Sequence, residues 1–90
     1  MQTQTQPQQT LTGQEQAIVI FIHGYLAQNQ ISPSISEIAE AIGLTLYPTH
    51  RWLLSLRNKG WLRWTLHSNR SFQLWFQFRQ EEEHEQENLA

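Results

Sequence analysis

The chain has 90 residues, no cysteine, no aspartate and a formal net charge of −2. That length holds one small domain, and the missing cysteines exclude disulfides and thiolate metal sites, which fits a reducing cytosol. The longest apolar run, Ala17 to Ile22, is far too short to span a bilayer, and no basic segment precedes an apolar stretch, so a cytoplasmic protein is expected.

Residues 1–10 are almost all Gln and Thr and offer too little apolar surface to offset the entropy of ordering them, so a disordered tail is expected there. Thr12 and Glu15 have the S/T-x-x-E spacing of a capping box, which starts a first helix. Ile18, Phe21, Ile22, Tyr25 and Leu26 recur at helical spacing as its inward face. The pattern fades at Gln28-Asn29-Gln30, and Pro33 forces an extended approach to the next helix. Ser34 and Glu37 repeat the capping box. Ile35, Ile38, Ala39 and Ile42 form the buried stripe, and Gly43 can take the left-handed conformation that ends the helix.

A third helix is expected to begin between Leu46 and Pro48, since proline suits a first helical turn, and to close at Asn58-Lys59-Gly60. Placed at helical steps, Leu46, Thr49, Leu53 and Leu56 share one face. Tyr47, Pro48, Arg51, Ser55 and Asn58 fall opposite, with His50, Trp52 and Leu54 at the flanks. After Gly60 the period changes to two. Leu62, Trp64 and Leu66 alternate with Trp61, Arg63 and Thr65; after a polar turn at His67–Arg70, Phe72, Leu74, Phe76 and Phe78 alternate with Gln73, Trp75 and Gln77. This pattern predicts a β-hairpin with one apolar face. The expected fold over residues 11–78 is α+β, a winged helix-turn-helix of three helices followed by a two-stranded hairpin wing, with an acidic disordered tail at 79–90.

Charge is unevenly placed. All six Lys and Arg lie at or beyond Arg51, and no acidic residue stands between Arg51 and Phe78. That segment carries Arg51, Arg57, Lys59, Arg63 and Arg70, a charge of +5, while Glu81, Glu82, Glu83, Glu85 and Glu87 sit in the tail. A basic face is what phosphate attraction requires; the alternative is an ordinary solvated surface. The glutamates could cover that face as a phosphate mimic, or simply solubilise the chain. An outward helix face with an aromatic, an arginine and short polar groups is of the kind that reads a DNA groove, and its place as the second helix of a helix-turn-helix favours that reading. No catalytic set is visible. His23, His50, His67 and His84 are dispersed, with no pair at i+3 or i+4, and no glycine-rich phosphate loop or Gly-x-Ser-x-Gly elbow occurs. No enzyme activity, metal or cofactor is expected.

Leu11-Thr12, Pro33-Ser34, the run Glu37-Ile38-Ala39-Glu40-Ala41-Ile42-Gly43-Leu44, and Leu53 to Gly60 together resemble the N-terminal DNA-binding domain of LexA-type SOS repressors, from about Leu11 to Leu74. The resemblance implies a sequence-specific double-stranded DNA-binding transcriptional regulator whose third helix enters the major groove and whose wing is an auxiliary contact. Carried over residue by residue, Tyr47, Pro48, His50 and Arg51 would read bases. Ser34 and Lys59 would match phosphate contacts, and Ser68, Asn69 and Arg70 the wing tip. Ser55, Arg57 and Arg63 join the phosphate set from the basic segment.

Three departures stand out. The turn after Gly43 is one residue shorter than the family pattern, and the base-reading residues differ from the familiar subtypes, so no operator is implied. The peptidase half, which in the family supplies the Ser/Lys self-cleavage pair and the main dimer interface, has no counterpart; a stand-alone module without self-cleavage is expected. Ala17 and Ile20 also stand where the family usually has polar residues. With Trp52, Leu54 and Trp75 they offer an apolar patch for a homodimer or a protein partner, unless the final strand folds over it with Phe76 and Phe78 as the lid. The alternative function is a winged-helix protein–protein interaction module within a larger transcription or mobile-element complex.

Overall fold

A computed structural model describes residues 10–78; apart from Thr10, the two expected tails lie outside the described residues. Three helices, α1 (Gly13–Asn29), α2 (Ile35–Ile42) and α3 (Leu46–Asn58), precede strands β1 (Leu62–Arg63) and β2 (Gln73–Leu74). The strands pair antiparallel, Leu62 opposite Leu74 and Arg63 opposite Gln73. This is the expected winged helix-turn-helix.

Local signals in the sequence set the helix ends. The Thr12 hydroxyl accepts the Glu15 N–H at 3.3 Å, while the Glu15 carboxylate accepts the Thr12 N–H at 2.9 Å. Ser34 and Glu37 do the same for α2, at 3.2 and 2.9 Å. Each reciprocal pair satisfies two backbone donors that a helix start leaves open. At the end of α2, Leu44 N–H bonds to Ala39 O and Gly43 N–H to Glu40 O, with Gly43 at φ 75°. α3 ends the same way, Trp61 N–H to Leu56 O and Gly60 N–H to Arg57 O, with Gly60 at φ 87°. Both are Schellman closures that need a left-handed residue, the conformation glycine adopts without a Cβ penalty.

The core draws on every element. Ile18 and Ile22 of α1, Ile38 of α2, Leu53 and Leu56 of α3, Leu62 of β1 and Leu74 of β2 are fully buried, and Phe72 joins them. α1 packs on both α2 and α3, and the hairpin closes the other side through contacts of β1 with α3 and β2 with α1.

Three expectations are corrected. The hairpin ladder is much shorter than the alternation predicted. After Gln73–Leu74 the chain adds a backbone bond from Trp75 N–H to Trp61 O at 2.9 Å, and residues 75–78 are then helical. The Gln77 side chain accepts the Leu74 N–H at 2.7 Å, one half of a capping box, and this local bond ends the strand. Leu66 is not on a covered face: it is 95% exposed. Leu46, at the first position of α3, projects past the packed interface and is 51% exposed, whereas Thr49 is buried and donates its hydroxyl to Thr45 O.

Candidate nucleic-acid interface

The three-residue connection Gly43-Leu44-Thr45 sets α3 across α2. Thr49, Leu53 and Leu56 face the core, which turns Tyr47, His50 and Arg51 outward on the N-terminal half, with Pro48 half-buried beside them. Tyr47 is 70% exposed. Among the described residues Arg51 has no hydrogen bond, ion pair or ring contact, so its guanidinium donors are free. The Thr45 hydroxyl makes no capping bond, which leaves the first N–H groups of α3 open at the positive end of the helix dipole.

The remaining basic residues are engaged. Lys59 Nζ lies 2.7 Å from Glu15 Oε1 and donates also to Thr10 O, and the Ser55 hydroxyl donates to Glu15 Oε2. Burial pushes the Glu15 carboxyl upward, but hydrogen bonds from Lys59, Ser55 and the Thr12 N–H together outweigh it and bring it down to about 2. Arg70 grips Glu37 in a two-pronged pair at 2.8 and 3.0 Å, and donates to Ser32 O and the Tyr25 hydroxyl at 3.1 Å. Hydrogen bonding to Arg70, then to the Ser34 N–H, holds the Glu37 carboxyl at about 2. Arg63 donates to the Gln73 side chain and lies 4.8 Å over the Phe78 ring, while Arg57 lies 4.9 Å over Trp64. The five cations of the described part stand against Glu15, Glu37 and Glu40, leaving it at +2.

The fold therefore sorts the expected site residues into groups. Tyr47, Pro48, His50 and Arg51 come together on one surface. Ser68 and Asn69 join that surface across a cleft of about 270 Å³, which His50, Trp64, Leu66, Ile35 and Phe72 also line. Arg57 borders it through Trp64, whose ring meets His50 edge-on at 6.3 Å. Ser55, one turn on from Arg51 and lining a pocket with it, Pro48 and Trp52, is tied with Lys59 to Glu15, and Arg70 is folded back onto the α1–α2 junction. Ser34 is committed to its cap. Sequence patterns found Glu15 and Glu37 as caps but missed their second role as ion-pair partners, along with Tyr25 and Ser32. Those partners lie 33 to 45 residues from the cations they hold, and no local pattern signals them.

The five apolar residues expected to form one patch do not. Ala17 and Ile20 are exposed on α1, Ile20 at 70%. Trp52 and Leu54, about 200° apart around α3, leave on opposite sides, and Trp75 packs edge-on against Trp61. Phe76 covers α1 at His23, with ring centroids 6.0 Å apart, and leaves Ile20 open. No helix among the described residues is long and apolar enough to cross a membrane.

A helix-turn-helix with an open outer helix face and a hairpin beside it defines a winged helix-turn-helix protein. Residues 8–71 match the LexA DNA binding domain, and the chain belongs to that family. It is 36% identical over 64 residues to the LexA repressor of Thermosipho melanesiensis and equally to that of Thermosipho africanus, covering 71% of this chain and 32% of each relative. It is 41% identical over 54 residues to the LexA repressor of Carboxydothermus hydrogenoformans, covering 59% of this chain and 26% of that relative. The chain spans about a third of the length of the Thermosipho relatives.

Proposed function

We propose that this protein is a sequence-specific double-stranded DNA-binding transcriptional regulator, acting as a repressor that occupies its site with α3 in the major groove. The observation that carries this reading is Arg51, the cation of the fold with no partner among the described residues, on the exposed half of a helix whose position is that of a recognition helix. Arginine offers two donors to guanine N7 and O6, a specific base contact. Tyr47, Pro48 and His50 surround it and meet neighbouring base edges. Phosphates bind at the open N-terminus of α3, at Arg57, and at Ser68 and Asn69. Ser34, Ser55, Lys59, Arg63 and Arg70 act behind this set, by holding the reading elements in place or by exchanging their present partner for a phosphate.

Enrichment of bound duplexes from a random library by the full chain tests this reading. A shared motif among the recovered sequences is expected, and binding that falls steeply with salt. Recovery of no duplex even at low salt would rule it out.

A second reading rests on Ile20. A large apolar side chain 70% exposed beside Ala17 on α1 fits a protein contact: a second copy, or a component of a larger transcription complex. Sedimentation of the full chain and of Ile20→Glu distinguishes them: a concentration-dependent dimer lost in the variant supports the second copy.

A further inference from the structure

Leu66 is the most exposed large apolar residue among the described ones, at 95%, and it sits on a loop tip whose other residues, Thr65, His67, Ser68 and Asn69, are polar and exposed. An apolar side chain so placed would fall onto the Trp64–Phe72 cleft beside it if the loop were free to let it. The loop is braced instead. The Ser71 hydroxyl accepts the Thr65 N–H at 3.0 Å and lies within bonding distance of both Thr65 O and Ser68 O. The Ser68 hydroxyl accepts the Arg70 N–H at 3.1 Å, and the Arg70 side chain is anchored on Glu37, Tyr25 and Ser32. Leu66 is thus held outward by polar bonds on both sides of the tip.

Its surroundings say what it faces. Leu66, Ser68 and Asn69 line one cleft with His50, the neighbour of Arg51 on α3, so the tip continues the reading surface. Arg70 is the only Lys or Arg from Trp64 to Phe78, and it points away into its ion pair. The tip therefore has no phosphate clamp of its own. It also meets no repulsion from Glu37, whose charge Arg70 neutralises. An apolar residue flanked by short hydrogen-bonding side chains, next to a major-groove reader, has the chemistry of a minor-groove wedge: apolar side chains lean between base steps while polar neighbours reach groove acceptors.

We propose that Leu66 is an apolar wedge that enters the minor groove beside the segment read by α3 and selects duplexes carrying a deformable pyrimidine–purine step there. The inference rests on the DNA-binding reading above and adds a specificity determinant to it. TA and CA steps unstack at least cost, whereas A-tracts are stiff, so the wedge converts step flexibility into affinity.

The test starts from duplexes that the full chain enriches from a random library. The step about half a helical turn, roughly 5 bp, from the bases protected by α3 is varied through TA, CA and an A-tract. Anisotropy gives the affinities, and 2-aminopurine placed at the step reports unstacking. The wild-type chain is expected to prefer TA and CA over the A-tract about tenfold and to raise the 2-aminopurine signal. Leu66→Ala should bind all three alike, at the A-tract level and with no fluorescence rise, while Leu66→Phe keeps the preference. Unchanged melting of both variants verifies that the fold is intact, as expected for so exposed a position. A step preference that survives in Leu66→Ala, or is absent from the wild type, overturns the wedge and leaves DNA binding standing. Equal weakening on every duplex does the same and reduces Leu66 to an unspecific contact. If no duplex is enriched at all, the DNA reading fails first.

Discussion

Glu15 illustrates how one side chain can serve two levels of structure. One carboxylate oxygen caps α1 and meets Lys59; the other takes the Ser55 hydroxyl of α3. Its side chain is 1% exposed and that of Lys59 20%, so truncating the carboxylate leaves a half-buried ammonium without its partner. Glu15→Gln is expected to lower the unfolding free energy by about 2–3 kcal/mol near neutral pH. The carboxyl is held at about 2 in the fold against an ordinary value of 4.5. A depressed folded value stabilises wherever the group is ionised in both states, so this contribution is complete above about pH 5 and drains away as pH falls toward 2. Urea midpoints of wild type and variant should therefore differ at pH 7, and the gap should shrink below about pH 5 and close only as pH approaches 2. Arg51 and Arg57 make a second contrast at this scale. Arg51→Ala should cost about 1–3 kcal/mol at one base position and relax selectivity there. Arg57→Ala should weaken all duplexes alike and flatten the salt slope. Competition binding across single-base variants of an enriched duplex separates the two.

At the scale of elements, the helices and the wing differ in how they are specified. α1 and α2 are marked by capping boxes within four residues of chain and by Gly43, and the spacing of Ile18, Ile22, Ile38, Leu53 and Leu56 placed the core correctly. Their determinants are local, which is why they were legible. The wing is held by distant bonds. Its alternating Phe72, Leu74, Phe76 and Phe78 fit a longer strand equally well until Gln77 takes the Leu74 N–H, and its tip depends on Arg70 reaching Glu37, 33 residues away. Gln77 stands equally well as an outward strand residue, and nothing in the segment itself signals the Arg70–Glu37 pair, so the short strand and the withdrawal of Arg70 were illegible. The outward face of α3 was legible because helical period alone separates Tyr47 and Arg51 from Thr49 and Leu53. Which cations are free was not. Arg70→Ala tests the distinction. The pair is about one-third exposed, so little change in global melting is expected, but the brace on the tip is lost. Amide exchange at Thr65–Ser71 should accelerate while α1 and α3 stay protected. Ser34→Ala should do the reverse, lowering global stability by about 1 kcal/mol with the wing amides unchanged relative to the rest.

Across the whole chain, charge is split between two parts of opposite sign. The described residues carry +2, whereas residues 79–90 set Arg79 against Glu81, Glu82, Glu83, Glu85 and Glu87, a charge of −4. The net −2 thus hides a basic body attached to an acidic segment. Unspecific DNA affinity comes from phosphates displacing counterions at basic sites, and a tethered run of carboxylates would compete for those sites at high effective concentration. The base-specific contact proposed for Arg51 would be less sensitive to that competition, because a carboxylate reproduces a phosphate better than it reproduces a guanine edge. A chain ending at Phe78 is therefore expected to bind random-sequence duplex more tightly than the full chain at low salt. The gap should close as added salt shortens the screening length to roughly 8 Å near physiological strength. The affinity ratio between an enriched duplex and random DNA should fall in the shortened chain, since unspecific binding gains most. Salt titrations of both chains on both duplexes read these quantities directly; equal low-salt affinity for random DNA would show that the acidic segment acts on solubility alone.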